Sequence, residues 1–267
     1  MYATTYHRPK SVAEAAALVA ANPDAKILAG GQTLLPTMKQ RLAAPSDLVD
    51  IGRIPELAGI TKTATSVTVG AGTKHYDVAS SPVVQAAIPA LAHLASLIGD
   101  PAVRHMGTIG GSLANNDPAA DYPAAALGLG ATIVTNSRRL AADDYFTGLF
   151  ETALEEGEIV TAVEFPIPEA AGYVKFPNPA SRYAMAGVFV ARLKDGSVRV
   201  AVTGAGASGV FRVAEMEAAL AGNFSPEAIR GLTVPAADML ADLHATADYR
   251  AHLVGVVARR AVEAALA

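Results

Sequence analysis

Adjacent glycines stand at two places where hydroxyl side chains are close by, in Leu28-Ala29-Gly30-Gly31-Gln32-Thr33-Leu34 and in Thr108-Ile109-Gly110-Gly111-Ser112. Glycine accepts positive φ and carries no Cβ, so such a pair lets successive main-chain N–H groups converge on an anion. The hydroxyls of Thr33, Thr108 and Ser112 add donors. Two loops of this kind suit the binding of a diphosphate rather than acid–base or nucleophilic chemistry. An isolated Gly-Gly is more often a plain tight turn, and the repetition of the pattern is what gives it weight. The second loop runs on through Asn115, Asn116 and Asp117 to Asp121. So long a stretch of small and polar residues in an otherwise apolar chain reads as a site.

The elements that must position these loops are legible around them. Ser11 and Glu14 have capping-box spacing and open a helix expected over Ser11–Ala21, stopped by Asn22-Pro23. A short strand over Lys26–Ala29 leads into Gly30-Gly31. Thr33 is then placed to cap a helix carrying Leu34, Leu35, Met38 and Leu42. After a sub-domain boundary expected near Ile51–Pro55 come strand-like pieces at Gly59–Thr63 and Ser66–Gly72, preceded by one at Leu48–Ile51, and a helix over Val83–Ile98. Gly107–Gly111 reads as a second glycine turn. A helix near Tyr122–Leu129 and strands at Ala131–Thr135 and Ile159–Phe165 follow, and Pro166, Pro168 and Gly172 suggest a linker. Beyond it, Val188–Leu193 and Ser197–Thr203 form an expected hairpin around Asp195-Gly196, a pair suited to a type I′ turn. Helices near Val213–Ala221 and Tyr249–Ala265 complete the chain. The fold class is α+β, with a two-part binding region over residues 1–172 (about 1–52 and 53–172) and a C-terminal domain of antiparallel strands and helices over 173–267.

Together, LAGGQTLLP and MGTIGGSLANNDPAADYPAA resemble the paired FAD motifs of the flavoprotein (medium) subunit in the xanthine dehydrogenase and aerobic carbon monoxide dehydrogenase family of molybdenum hydroxylases. The similarity extends from YHRPKSVAEAAALV through EIVTAVEFP to YRAHLVGVVARRAVEAAL. The resemblance implies the vanillyl-alcohol oxidase (PCMH-type) fold, with the flavin between the two parts of residues 1–172. It assigns Ala29, Gly30, Gly31, Gln32, Thr33 and Leu34 to one pyrophosphate loop and Thr108, Ile109, Gly110, Gly111 and Ser112 to the other. It also assigns Ile98, Asp121, Val160 and Lys175 to the cofactor. Asp121 would accept hydrogen bonds from ribityl or ribose hydroxyls, and Tyr183 falls where carbon monoxide dehydrogenase-type members place an aromatic residue over the isoalloxazine ring.

Other patterns carry less. Gly204-Ala205-Gly206-Ala207-Ser208-Gly209 fits G-x-G-x-x-G, but Pro226, Gly231 and Pro235 interrupt the place where a second parallel strand would lie, and a dinucleotide fingerprint is not expected there. His7, His75, His93, His105, His244 and His252 have no metal-ligand spacing. Asp143-Asp144 reads as a turn or helix cap, and Arg259-Arg260 as a solvated helix face. The net charge of −4 comes with no basic block, which disfavours nucleic acid. No apolar stretch reaches the roughly 20 residues of a membrane span. The start of the chain lacks signal-peptide character, so a cytoplasmic location is expected.

There is no cysteine, hence no thiolate-ligated cluster on this chain and no thioether to a flavin. By resemblance the FAD is non-covalent, while molybdopterin and 2Fe-2S clusters reside on a large and an iron–sulfur small subunit in a dimer of heterotrimers. No residue of this chain then acts as general acid or base. A self-sufficient FAD oxidase or dehydrogenase and a redox-silent nucleotide-binding module are the competing readings. The complex's substrate could be carbon monoxide, a purine, an aldehyde or an N-heterocycle. Valine at Gly31 or Gly110 is expected to empty the site with folding largely intact.

Overall fold

The computed structural model describes residues 1–267. At its N-terminal end, β1 (Thr5–His7), β2 (Lys26–Leu28) and β3 (Asp47–Asp50) form a parallel sheet in the order β1-β3-β2. Parallel neighbours need crossovers, and the helices Val12–Ala20 and Leu34–Lys39 supply them. The capping prediction holds at Ser11, whose Oγ accepts the Glu14 N–H at 3.2 Å. The Glu14 carboxylate reaches back to the Lys10 N–H at 2.8 Å, one residue before the cap. The second helix is shorter than expected: it ends at Lys39, Arg41 takes φ +62°, and Leu42 is exposed.

The largest hydrophobic core underlies an antiparallel sheet of β4 (Ile60–Lys62), β5 (Ser66–Gly70), β6 (Thr132–Thr135), β7 (Arg139–Ala141) and β10 (Val160–Pro166), ordered β4-β5-β10-β6-β7. A small hairpin, β8 (Phe146–Gly148) and β9 (Glu151–Thr152), projects between β7 and β10. The helix expected over Val83–Ile98 is two helices, Pro82–Ala87 and Pro89–Ser96. Pro89 cannot continue a helix but can open one at its first position. Asp143 and Asp144 sit in a one-turn helix, Ala142–Tyr145, where Asp143 pairs with Arg199 at 2.6 Å and Arg212 at 3.2 Å.

The stretch read as a linker is a tight crossing. β10 ends at Pro166 and β11 (Ala170–Pro177) begins four residues later as an edge of the third sheet, so a division at Gly172 would cut this strand. That sheet runs β11, β12 (Ala184–Arg192), β13 (Val198–Thr203), β14 (Phe211–Arg212), all antiparallel. Alternation along β12 sends Val188 and Val190 to the core shared with the helix Ala247–Leu266, and Phe189 and Ala191 to the core shared with Tyr122–Leu129. Both faces are covered, which is why β12 reads as one apolar run.

The β12–β13 hairpin forms as expected with a different turn. Only Gly196 has positive φ (+84°), and the Gly196 N–H donates to Leu193 O at 3.0 Å. This is a three-residue loop ending in a left-handed glycine, not a type I′ pair. Antiparallel β13 and β14 flank Gly204–Gly209, so that G-x-G-x-x-G segment is a hairpin connection and not a strand-to-helix phosphate turn. No helix is long and apolar enough to cross a membrane.

Candidate functional site

The N-terminal sheet and the antiparallel sheet meet around a cavity of about 630 Å³, a size suited to a small-molecule cofactor. Its wall at the C-terminal end of β2 is the Gly30-Gly31 turn. Gly31 takes φ +69°, and a Cβ there would stand 2.9 Å from a Leu35 methyl. A Cβ on Gly30 would fall onto the Met106 carbonyl, so this glycine is what lets the first segment touch the second. No main-chain N–H from Gly30 to Leu34 donates to another protein group; the Leu35 N–H is the first that does, to Gly31 O at 3.3 Å. The Thr33 hydroxyl caps nothing in the helix that follows, contrary to expectation. The result is an unspent row of amides and a free hydroxyl on the cavity wall, the arrangement that suits an oxyanion.

The second segment differs from its expectation. Gly110 and Gly111 lie in the first turn of the helix Ile109–Asn115, and neither has positive φ. Their amides are spent: Gly110 on Ala71 O at 2.8 Å, Gly111 on Thr108 Oγ1 at 3.1 Å. The Ile109 and Ser112 amides are spent as well, on Thr73 O and Thr108 O. The glycines serve close packing instead. A Cβ on Gly110 would lie 2.5 Å from Ala71 Cβ, so valine there would disrupt the interior rather than cleanly empty a site. Toward the cavity this segment presents Thr108, Ser112 and Asn115.

Of the residues singled out in the sequence, Ala29, Gly30, Gly31, Gln32, Thr33, Leu34, Ile98, Thr108, Gly110, Gly111, Ser112, Asp121, Val160 and Tyr183 come together on this cavity. Ile109 and Lys175 do not line it. Ile109 is fully buried in the core. The Lys175 ammonium lies behind the wall, 3.0 Å from Asp121 Oδ1 and 2.8 Å from Leu97 O. Asp121, 4 % exposed, also accepts the Tyr173 hydroxyl at 2.5 Å. Burial pushes its carboxyl upward, and the Lys175 ammonium and Tyr173 hydroxyl oppose that push. Much of Asp121's accepting capacity is therefore already committed to the protein, which leaves less for ligand hydroxyls than the resemblance implies.

Asp117, in the polar stretch that follows the second segment, lines the cavity as well, and several lining residues gave no sequence signal: His75, Phe150, Glu158 and Arg182. Glu158 is held down at about 2, chiefly by the Arg138 guanidinium, which meets both carboxylate oxygens at 2.9 Å, with Thr135 and Ser137 hydroxyls and the Glu155 N–H adding support. His75 is buried, its Nδ1 has no partner, and burial together with the nearby Arg104 charge pushes it down to about 4. Burial also raises Asp117, and raises Tyr183 with help from the Asp117 and Asp121 carboxylates. No group of three or more His, Cys, Asp or Glu side chains is placed to hold a metal ion.

These shifts fix the sign of an acid response. An unfolded His75, at 6.5, takes up a proton that the folded one refuses down to about 4, so stability is full above 6.5 and falls as pH drops through this window. Glu158 adds stability above 4.5 that is lost as pH falls toward 2. Urea unfolding is expected to lose roughly 3 kcal/mol between pH 7 and pH 4 from His75. In His75→Phe that slope should flatten; an equal slope in the variant would remove His75 as its cause.

Residues 2–168 match the family described as "FAD binding domain in molybdopterin dehydrogenase". The chain is 39 % identical to the carbon monoxide dehydrogenase medium chain of Hydrogenophaga pseudoflava, over 98 % of this chain and 96 % of that one. It is 36 % identical to the nicotine 6-hydroxylase medium subunit of Paenarthrobacter nicotinovorans, over 97 % and 96 %. Among solved structures, reconstituted CO dehydrogenase from Oligotropha carboxidovorans superposes with a TM-score of 0.90 at 36 % identity, covering 98 % and 97 % of the two chains. Quinoline 2-oxidoreductase from Pseudomonas putida 86 superposes at 0.84 and 31 % identity, covering 99 % and 97 %. These matches bear out the α+β class expected from the sequence and the PCMH-type fold that the resemblance implied. Agreement in fold and sequence over nearly the whole length turns that resemblance into membership: this chain belongs to the family of FAD-binding domains of molybdopterin dehydrogenases.

Proposed function

We propose that this chain is the FAD-binding electron-transfer subunit of a molybdenum hydroxylase complex of the carbon monoxide dehydrogenase type. The observation that carries the reading is the row of unspent amides from Gly30 to Leu34 on the wall of a cavity large enough for the cofactor. Bound there without a covalent link, FAD would accept electrons at its isoalloxazine ring and release them to an external acceptor. The Gly30–Leu34 amides and the Thr33 hydroxyl hold the diphosphate, with Thr108 and Ser112 facing it from the second segment. Ile98, Val160 and Tyr183 flank the ring system, and Asp121, fixed by Lys175 and Tyr173, lies at the wall beside them. No proton transfer by a side chain is required of this subunit.

The chain has no cysteine, so a thiolate-ligated relay must come from another subunit. In this reading an iron–sulfur small subunit delivers electrons from a molybdopterin large subunit, the whole forming a dimer of heterotrimers. Anaerobic mixing with candidate substrates tests it. The flavin of the isolated chain should stay oxidised, and that of the co-purified complex should bleach rapidly. Rapid bleaching in the isolated chain would instead make it a self-sufficient oxidase or dehydrogenase.

A further inference from the structure

Phe150, at the tip of the β8–β9 hairpin, takes φ +55°, a conformation that disfavours a bulky side chain. The residue is 59 % exposed, so core burial does not repay the strain, and yet it lines the cavity. Its conformation is imposed from one buried residue. Asn116, 2 % exposed and itself at φ +42°, ends the helix Ile109–Asn115. Its side-chain Nδ2 donates to Gly148 O at 2.9 Å and Glu151 O at 2.8 Å, and its main-chain carbonyl accepts the Phe150 N–H at 3.2 Å. The chain on both sides of Phe150 is thereby tied to the C-terminal end of the helix that Thr108 caps and that carries Ser112. The residue after Asn116, Asp117, lines the cavity together with Tyr183. Backbone strain of this kind clusters at ligand-contacting positions, where the surrounding structure holds it in place.

We infer that Phe150 is a cofactor-contacting residue whose ring packs against a planar heteroaromatic ring of the bound dinucleotide, and that Asn116 is the residue that positions it. The inference rests on the FAD reading above. Contact of an aromatic side chain with a heterocycle strengthens binding by roughly tenfold or more.

The test is FAD titration of the flavin-free full chain, followed by flavin emission. Phe150→Gly and Phe150→Leu should each lose roughly tenfold in affinity. Phe150→Gly should keep or raise the urea midpoint, because glycine accepts the positive φ. Leu149→Ala, at an exposed neighbour that does not line the cavity, should bind as the parent does. In an Asn116→Ala background, Phe150→Gly should add little further loss, the signature of one residue acting through the other. A changed visible band in Phe150→Gly assigns the contact to the isoalloxazine ring, and lost affinity with an unchanged band assigns it to the adenine. Parent-like affinity and band in both Phe150 variants would overturn the inference, including the case where they fail only to assemble with partner subunits. If the unaltered chain itself bound no FAD, the function proposed above would fall instead.

Discussion

Valine at Gly31 is expected to lower FAD affinity by a hundredfold or more while leaving most of the fold in place. Two effects combine. At φ +69° a β-branched residue costs about 1–3 kcal/mol of backbone strain, and the new Cβ would stand 2.9 Å from Leu35 Cδ1 and 3.3 Å from Leu28 Cδ1. The turn relieves both by rotating, and rotation turns the Gly30–Leu34 amides away from a common point. Each hydrogen bond from such an amide to a charged oxygen contributes about 1.5–3 kcal/mol, so losing two gives about 3–6 kcal/mol, beyond a hundredfold. The ratio of flavin to protein absorbance in the purified protein reads this directly. Gly206→Val is the control: its Cβ would press on Gly209 O and stand 2.7 Å from the Phe211 ring, well outside the cavity lining, so stability should drop with flavin content unchanged. Flavin lost from Gly206→Val and retained in Gly31→Val would shift the diphosphate to the G-x-G-x-x-G segment.

Why the first loop could be read from sequence and much of the remaining wall could not follows from how each is built. The amide row needs only a strand end, a left-handed glycine and a helix start, all within Lys26–Leu34, and local residues specify every part. The second segment shows the limit of that logic. Gly110-Gly111 resembles Gly30-Gly31 as a string, but Thr108 caps a helix over it through the Gly111 N–H, and the helix consumes the amides. Distinguishing the two requires knowing that Ala71 packs against Gly110, a contact thirty-nine residues away in sequence. His75 opens the helix His75–Ser80, Phe150 and Arg182 sit in the β8–β9 and β11–β12 connections, and Glu158 lies just before β10; only the assembled fold brings these four to one cavity, and none stands in a pattern of its own. Lys175 is an intermediate case. The resemblance places it at the cofactor, whereas its ammonium contacts the residue at the wall, Asp121, and the carbonyl preceding Ile98. A chain-level similarity transfers the neighbourhood of a residue more faithfully than the atom it touches.

That geometry gives Lys175→Met the largest expected effect on stability. Both side chains of the pair are about 95 % buried, and removing the ammonium leaves the Asp121 carboxylate with the Tyr173 hydroxyl as its one side-chain partner in the interior. An uncompensated buried charge costs about 3–5 kcal/mol, roughly 10 °C in melting temperature for a chain of this size. The sign of the pH response identifies the cause. Without Lys175 the Asp121 carboxyl rises further above its ordinary value, because burial is then opposed by one hydroxyl alone. A raised carboxyl gives stability that is present below its unfolded value and lost as pH rises, so the deficit of the variant relative to the parent should shrink on acidification. This is opposite in direction to the loss that His75 and Glu158 impose on both proteins, and taking the difference between variant and parent removes that shared loss. Asp121→Asn in the Lys175→Met background removes the charge altogether and should recover part of the stability at pH 7. Urea unfolding of the parent, both single variants and the double variant at pH 7 and pH 5 supplies the whole comparison. If Lys175→Met unfolds at the parental urea concentration, or its deficit grows on acidification, the pair is not what fixes Asp121 against the cavity wall.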